Sequence, residues 1–349
     1  MPFGLLAATR HRPVFRLGRT VFVHDPVAYR RALTSVPLDR TAEGTTGGAA
    51  GRLAGPDTLF DQHGESHRRA RRDAADRLGA AGVERLRPIW TSRLERRLAG
   101  LADGSPVDLV TLAAEIAGAT AAALLDLSVD PLELASAARE AAAAAARAHL
   151  PGPRSLLRRA VPPRAAPDRQ SALTPAERAA QRLSDLVGSP LNAVLAVAAI
   201  NTTVAALPRA AAWASDDELW DADPRALADE LLRVTSPTPL LPRVPAVTGT
   251  LLPGGRCPVG PGDRMLLITR HAAGAHRRDP DPAGPPSPQQ SQLVFGAGPH
   301  ACPGAALARA QMTDFLAALA PYRPRVVRAR ADRHSALPGW AVLTVRAGR

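Results

Sequence analysis

The sequence predicts a mainly α-helical fold with a minor β region. Apolar residues recur at helical spacing over residues 65–100, through Ala70, Ala74 and Leu78 and then Leu86, Trp90, Leu94 and Leu98. Residues 188–207 carry no charge over about the length of a membrane span. That stretch nevertheless holds Asn201, Thr202 and Thr203 together and ends at Pro208, which favours a buried core helix. Over residues 237–267 the pattern changes to short extended segments between Gly/Pro turns at Pro253-Gly254-Gly255 and Gly260-Pro261-Gly262.

In chain order, residues 19–24 (RTVFVH) read as a strand with no helix ahead of it, and a helix follows over 26–33. Residues 35–63, rich in Gly and Thr, read as a long loop. Its glycines at 44–51 (GTTGGAAG) lack the strand–helix setting of a phosphate cradle. Residues 107–126 and 131–149 are helices, the second almost pure alanine. The Pro/Arg-rich residues 151–169 read as a flexible connection. A helix opens at Thr174-Pro175 with Glu177 in its first turn. A short helix over 224–235, an irregular loop over 279–288, a last helix over 304–319 and a hairpin-like end complete the chain. No repeat is present, and one domain over residues 1–349 is expected.

The chain has 349 residues, 46% of them hydrophobic, which is ample for a large core. All 44 side chains counted as Lys plus Arg are arginine, against 32 acids. The lack of lysine excludes a P-loop lysine, a Schiff-base lysine and a lysine general base. The formal charge of +12 is spread along the chain and aromatics make up only 3%, so no nucleic-acid partner is expected. Cys257 and Cys302 form no disulfide framework and no zinc pairing. The N-terminal apolar run is too short for a signal peptide, so a soluble, cytoplasmic monomer without membrane contact is expected. His271 and His276 have no acid or Cys at ligand spacing and read as surface histidines. Cys257, in a Gly/Pro turn, reads as a bystander.

The chemistry sits at Phe295-Gly296-Ala297-Gly298-Pro299-His300-Ala301-Cys302-Pro303-Gly304. A cysteine on a Gly-rich turn directly before a helix meets free backbone N–H groups and the positive end of the helix dipole, and both favour thiolate. The segment resembles the haem-binding loop of the cytochrome P450 family, F-x-x-G-x-x-x-C-x-G, at every fixed position. The resemblance implies the cytochrome P450-like haem-thiolate fold, heme b (iron protoporphyrin IX) as cofactor and Cys302 as the iron's axial ligand. A thiolate there pushes electron density onto the iron and favours O–O cleavage. Phe295 would shield the sulfur, and Gly296, Gly298 and Gly304 would let the backbone approach a flat macrocycle.

Further matches follow the family's order. Glu230-Leu231-Leu232-Arg233 resembles the E-x-x-R pair that braces the ligand loop, with i,i+3 spacing placing both charges on one helix face. His67 and Arg71, Arg243 and His300 resemble the partners of the two haem propionates, for which charge-assisted contacts are strong. Ala198 to Thr203 (AAINTT) resembles the central helix over the distal haem face, implying Thr202 and Asn201 as the catalytic pair. Ala198, Ala199, Thr238, Pro239, Leu240 and Leu241 are the candidate substrate contacts, small or apolar, suited to an apolar or aromatic group.

The implied activity is monooxygenation of a small organic molecule in secondary metabolism. Electrons would come from a ferredoxin and its reductase, steered by Arg68, Arg69, Arg72 and Arg309. Three departures qualify this. Asn201 replaces the family's acid and cannot titrate near neutral pH. Pro303, placed at the first helical position, offers no N–H to the sulfur, implying a more electron-rich thiolate. The stretch before the Cys loop is compressed and lacks the family's P-x-x-F-x-x-x-R arginine, leaving the third member of the brace unaccounted for. Peroxide-driven oxidation, radical coupling or rearrangement is one alternative, and a haem or ligand-binding protein without turnover is another.

Overall fold

The structure is a computed structural model that describes residues 2–55, 60–62, 64–149 and 173–348. The expected connection at 151–169 lies outside the described residues. A helix, α1 (Pro2–Thr9), does precede the first strand, contrary to expectation. Strand β1 (Val14–Leu17) turns at Gly18, φ +57°, into β2 (Thr20–Val23). A five-stranded sheet follows in the order β1, β2, β8 (Arg264–Ile268), β5 (Leu240–Pro245) and β3 (Leu38–Asp39). The β2–β8 pair is parallel and the other three are antiparallel. Val21, Val23, Met265 and Leu267 bury one face of this sheet together with Ala28, Tyr29 and Ala32 of α2 (Pro26–Thr34). The Asp25 carboxylate starts α2 by accepting from the N–H groups of Val27 and Ala28.

The loop expected over 35–63 contains a helix, α3 (Thr46–Ala54), capped by the Thr45 hydroxyl. Its Gly-rich sequence has poor helix propensity, which hid it. The glycines answer a packing need, because a Cβ on Gly47 would strike the Arg40 carbonyl and one on Gly48 the Ala42 carbonyl. The helical pattern over 65–100 divides at Gly79 into α4 (Gly64–Leu78) and α5 (Ala80–Ala102). Strand β4 (Val107–Asp108), α6 (Leu109–Leu124) and α7 (Pro131–His149) follow. Helix α8 (Pro175–Val187) opens on a full capping box between Thr174 and Glu177.

The uncharged stretch forms the first part of α9 (Pro190–Asp216), long and apolar enough by composition to cross a membrane, yet with half of that apolar window buried inside the fold. The main core gathers around it: Trp90, Leu94 and Leu98 of α5, Leu112 and Ile116 of α6, Leu134 and Ala138 of α7, Ile200 and Leu207 of α9. Phe315, Leu316 and Leu319 of a late helix, Ala305–Leu319, join them. Between lie α10 (Pro224–Val234), the β6 (Gly249–Thr250) and β7 (Pro258–Val259) pair, α11 (Thr269–Ala272) and α12 (Pro288–Gln292). The late helix is α13. Strands β9 (Arg325–Ala331) and β10 (Trp340–Arg346) close the chain as the expected hairpin, with β10 also pairing β4.

Where β2 ends, three histidines meet. The Nδ1 atoms of His24 and His271 are 2.7 Å apart, one donating and one accepting, while His24 Nε2 reaches Thr9 Oγ1 at 3.2 Å. The His276 ring lies 4.5 Å from that of His271. His271 and His276 are therefore part of a half-buried cluster, not separate surface residues, because the fold brings residue 24 against residue 271. Burial holds His24 below 6.5 and, with mutual repulsion and Arg10, Arg270 and Arg277 nearby, lowers His271 and His276 to about 4.

Two outcomes follow from this packing. A Cβ on Gly118, within α6, would collide with the Pro131 carbonyl at the start of α7. Gly118→Ala, which would stabilise an exposed helix by about 1 kcal/mol, is expected to destabilise this chain by about 1–3 kcal/mol in urea denaturation. Depressed histidine pKa values mean that the unfolded chain binds more protons than the folded one between about pH 4 and 6.5. Stability is therefore full above that window and falls as pH drops through it, and the slope of the urea midpoint against pH should flatten in His271→Gln.

Candidate functional site

Two short helical turns over residues 293–295 and 298–300 deliver Phe295 and His300, and α13 begins at Ala305 with Gly304 as its N-cap. Pro303 thus precedes the N-cap instead of occupying the first helical position. Gly298 adopts φ +72°, and a Cβ there would stand 3.0 Å from the Leu33 carbonyl of α2, so both the turn and the close approach require glycine. Gly296 adopts φ +80°. The loop closes where the Cys302 N–H donates to the Phe295 carbonyl at 2.7 Å. The Arg309 guanidinium lies 4.6 Å above the Phe295 ring centroid and bonds Asp229 at 3.0 Å. That position ties Arg309 to α10 instead of leaving it a free surface charge.

The Cys302 sulfur accepts a hydrogen bond from the Gly304 N–H, which lowers its pKa, as do Arg71 and Arg309. Burial outweighs all three and holds the thiol above its ordinary value. The helix start favours the thiolate through the Gly304 N–H, as expected, but burial has the larger effect. Yet Cys302 is exposed by surface area. The sulfur is thus accessible to solvent, with Arg71, Gly304 and Arg309 near it.

A second open surface lies on α9. Ile200, Asn201, Val204, Ala205 and Leu207 are buried, whereas Leu195, Ala198, Ala199, Thr202 and Thr203 are only partly so. These five share one helical stripe of mostly small side chains. The Thr202 hydroxyl donates to the Ala198 carbonyl at 2.9 Å. The Asn201 amide points elsewhere, donating to Ala138 of α7 at 3.2 Å and to Val197 at 3.1 Å. Thr238 and Pro239 lead into β5, where Leu240 and Leu241 pair with Ile268 and Leu267 of β8; all four are partly buried.

The four expected carboxylate partners do converge. The His67 and His300 rings stack at 3.9 Å, and Arg71 donates to the Ala301 carbonyl at 2.6 Å. Arg243 donates to the Pro242 carbonyl at 2.8 Å and to the Thr46 hydroxyl at 3.5 Å. A further arginine, Arg40, joins them. No motif marks it in the sequence, since only strand pairing brings it near Arg243. Burial lowers Arg40 and Arg243 to about 10, with Arg40 contributing at Arg243, while burial and the three neighbouring arginines bring His300 to about 3. Among the described residues no carboxylate pairs with any of the five, and His67 Nε2 and Arg243 Nε are buried without partners. Such a donor set fits a bound dianion, and the two carboxylates on one edge of haem have that chemistry.

The brace is complete. Arg233 donates to both Glu230 oxygens at 3.0 and 2.7 Å, and the two side chains are 1% and 0% exposed. The missing third arginine is Arg278, whose Nη2 donates to Glu230 at 3.2 Å. Arg233 also donates to the carbonyls of Arg278 and Asp279, and the Asp281 N–H donates back to Glu230 at 2.8 Å. Glu230→Gln, which leaves Arg233 a buried unpaired charge, is expected to cost about 3–5 kcal/mol in urea denaturation. Arg278→Ala, losing a half-exposed partner, should cost under about 1 kcal/mol.

No protein-family model and no curated protein matches this chain. Solved structures do. A 6-coordinated cytochrome P450 from Thermus thermophilus aligns with TM-score 0.75 at 18% identity over 99% of this chain and 98% of its own. CYP175A1, from another strain of Thermus thermophilus, aligns with TM-score 0.74 at 19% identity over 100% and 95%. P450BioI, solved in complex with a hexadec-9Z-enoic acid-ligated acyl carrier protein, aligns with TM-score 0.73 at 17% identity over 99% and 98%. Likeness of this extent at such low identity is a statement about architecture: the chain has the cytochrome P450 fold.

Proposed function

We propose that this chain is a haem-thiolate oxidoreductase, a monooxygenase acting on a small organic molecule. The observation that carries the reading is one exposed thiol, Cys302, beside three arginines and two neutral histidines with which no carboxylate pairs among the described residues. Heme b would be held by Cys302 at the iron and by His67, Arg71, Arg243 and His300 at its carboxylates. When bound it would supply activation of dioxygen or peroxide and transfer of oxygen to the substrate.

The chain's own residues supply the rest. Ala198 and Ala199 leave space on the open face of α9, and Leu240 and Leu241 offer an apolar wall suited to an apolar or aromatic group. Thr202 keeps its hydroxyl lone pairs free while its proton rests on the Ala198 carbonyl, so Oγ1 can accept a proton and pass one on by rotation. Gly304 and Arg309 favour the anionic sulfur, while Phe295, under Arg309, shields the loop. Electrons would come from a ferredoxin and its reductase, guided by Arg68, Arg69 and Arg72 on the exposed side of α4. A role in secondary metabolism, as a soluble cytoplasmic monomer, completes the proposal.

Asn201 favours a second reading, peroxide-driven oxidation. Its amide hydrogens are committed to two backbone carbonyls, so it neither titrates nor swings to relay protons from solvent. Peroxide brings its own protons and both electrons and needs no such relay.

The reduced, CO-bound protein should show the strongly red-shifted Soret band of a thiolate ligand, and Cys302→His should lose it; an unshifted wild-type band would end the proposal. Turnover with hydrogen peroxide alone, exceeding turnover with ferredoxin and reductase, would select the second reading. Asn201→Asp is expected to cost about 1–3 kcal/mol, because a carboxylate there faces carbonyl oxygens in place of donating to them. Urea denaturation checks this apart from any activity.

A further inference from the structure

Arg40 has no part in the motifs above, yet its position is set by strand pairing. Strands β3 and β5 run antiparallel with Leu38 opposite Pro245 and Asp39 opposite Val244. Arg40 follows directly on this paired stretch and lies close enough to Arg243 to lower its pKa. Like charges held close repel, and among the described residues no acid pairs with either guanidinium. The Asp39 carboxylate accepts from the Thr41 N–H and hydroxyl, both at 2.9 Å, and so is committed to its own turn. Among the described residues no hydrogen bond or ion pair engages the Arg40 guanidinium.

The Arg40 backbone cannot drift from this place. Its carbonyl lies against Gly47, where a Cβ would collide with it, and accepts weakly from the Thr45 hydroxyl at 3.5 Å. Thr46, at the start of α3, meanwhile takes the long contact from Arg243. The start of α3, the Arg40 turn and the Arg243 strand are thus one packed unit, with two guanidinium groups that no carboxylate among the described residues engages.

We propose that Arg40 is a further anchor for a porphyrin carboxylate, which it grips together with Arg243, and that this grip fastens α3 to the cofactor. The proposal rests on the haem reading above. A carboxylate accepting from both guanidinium groups removes their repulsion and adds charge-assisted hydrogen bonds in a partly desolvated place. Burial of both arginines, which lowers each to about 10, fits a site that waits for a negative charge.

The test is reconstitution of the full-length chain, freed of haem, with iron protoporphyrin IX and with its dimethyl ester, which lacks both charges. Wild type, Arg40→Gln, Arg40→Lys and the surface control Arg96→Gln are compared by absorbance titration. Arg40→Gln should weaken uptake of the dicarboxylate about tenfold, the scale of one charge-assisted hydrogen bond, and leave the ester unchanged. Arg40→Lys should recover part of the loss, and Arg96→Gln should match wild type. Amide hydrogens of residues 46–54 should gain protection on loading in wild type and gain less in Arg40→Gln. The urea midpoint of the haem-free Arg40→Gln chain should stay level or rise, since one of two repelling charges is gone. Equal weakening for both porphyrins, or a lowered haem-free midpoint, would assign Arg40 a merely structural role and overturn the proposal. Unchanged affinity for the dicarboxylate would overturn it as well. If the wild-type chain takes up neither porphyrin, the haem reading itself fails first.

Discussion

The Glu230 carboxylate is fully enclosed and receives hydrogen bonds from Arg233, Arg278 and the Asp281 N–H. Arg233 is equally enclosed and returns two more bonds to the carbonyls at 278 and 279. A buried ion pair of this kind adds little net stability over an apolar pair, because two charges have lost their water. Its effect is positional. The pair sits on a helix that is rigid by packing and holds a Pro-rich segment that has no regular structure of its own. From that segment the chain runs on to the turn carrying Cys302. The thiol's place therefore depends on two charges that never touch it.

The charges around the thiol are out of balance. Several arginines elsewhere meet acids: Arg97 meets Glu115, Arg139 meets Asp332, Arg309 meets Asp229. Around His67 and His300 three arginines gather with no carboxylate partner among the described residues. Proteins seldom leave buried charges unmatched, so the imbalance describes the ligand as well as the protein. The depressed histidines carry the same message in part, because burial first and the positive neighbours after it keep each neutral, and an anion would offset the neighbours. The opposite wall is uncharged. Alanines and threonines on one stripe of α9 withdraw side-chain bulk where a flat cofactor and a small molecule would need space, while the other faces of that helix pack normally.

Asn201 illustrates how the same position can serve chemistry or packing. Its amide joins α9 to α7 through the Ala138 carbonyl, in a contact between two alanine-rich helices that have few side-chain atoms to interlock. A polar stitch there supplies registration that alanine cannot. Thr120 and Gln311 make a similar stitch between α6 and α13 at 3.0 Å.

Much of this was legible in the residues. Helical periodicity, the Thr174 capping box, the uncharged core stretch and the turn to short strands after residue 237 are local properties, written in consecutive residues. The Cys302 loop was read from its resemblance to the motif F-x-x-G-x-x-x-C-x-G, and the structure adds that Gly298 there adopts a positive φ. Helix α3 escaped notice because its glycines serve contact with the Arg40 and Ala42 carbonyls, not helix propensity. Arg278 as the third brace, Arg40 beside Arg243, the His24–His271 contact and the raised Cys302 pKa also went unseen. Each of these depends on which distant segment packs alongside and how much water it removes. Sequence determined most of the elements, since those follow from short-range sterics and periodicity. Tertiary structure alone decided the partners of the charges, since burial and pairing across 48 to 247 residues of chain have no local signature.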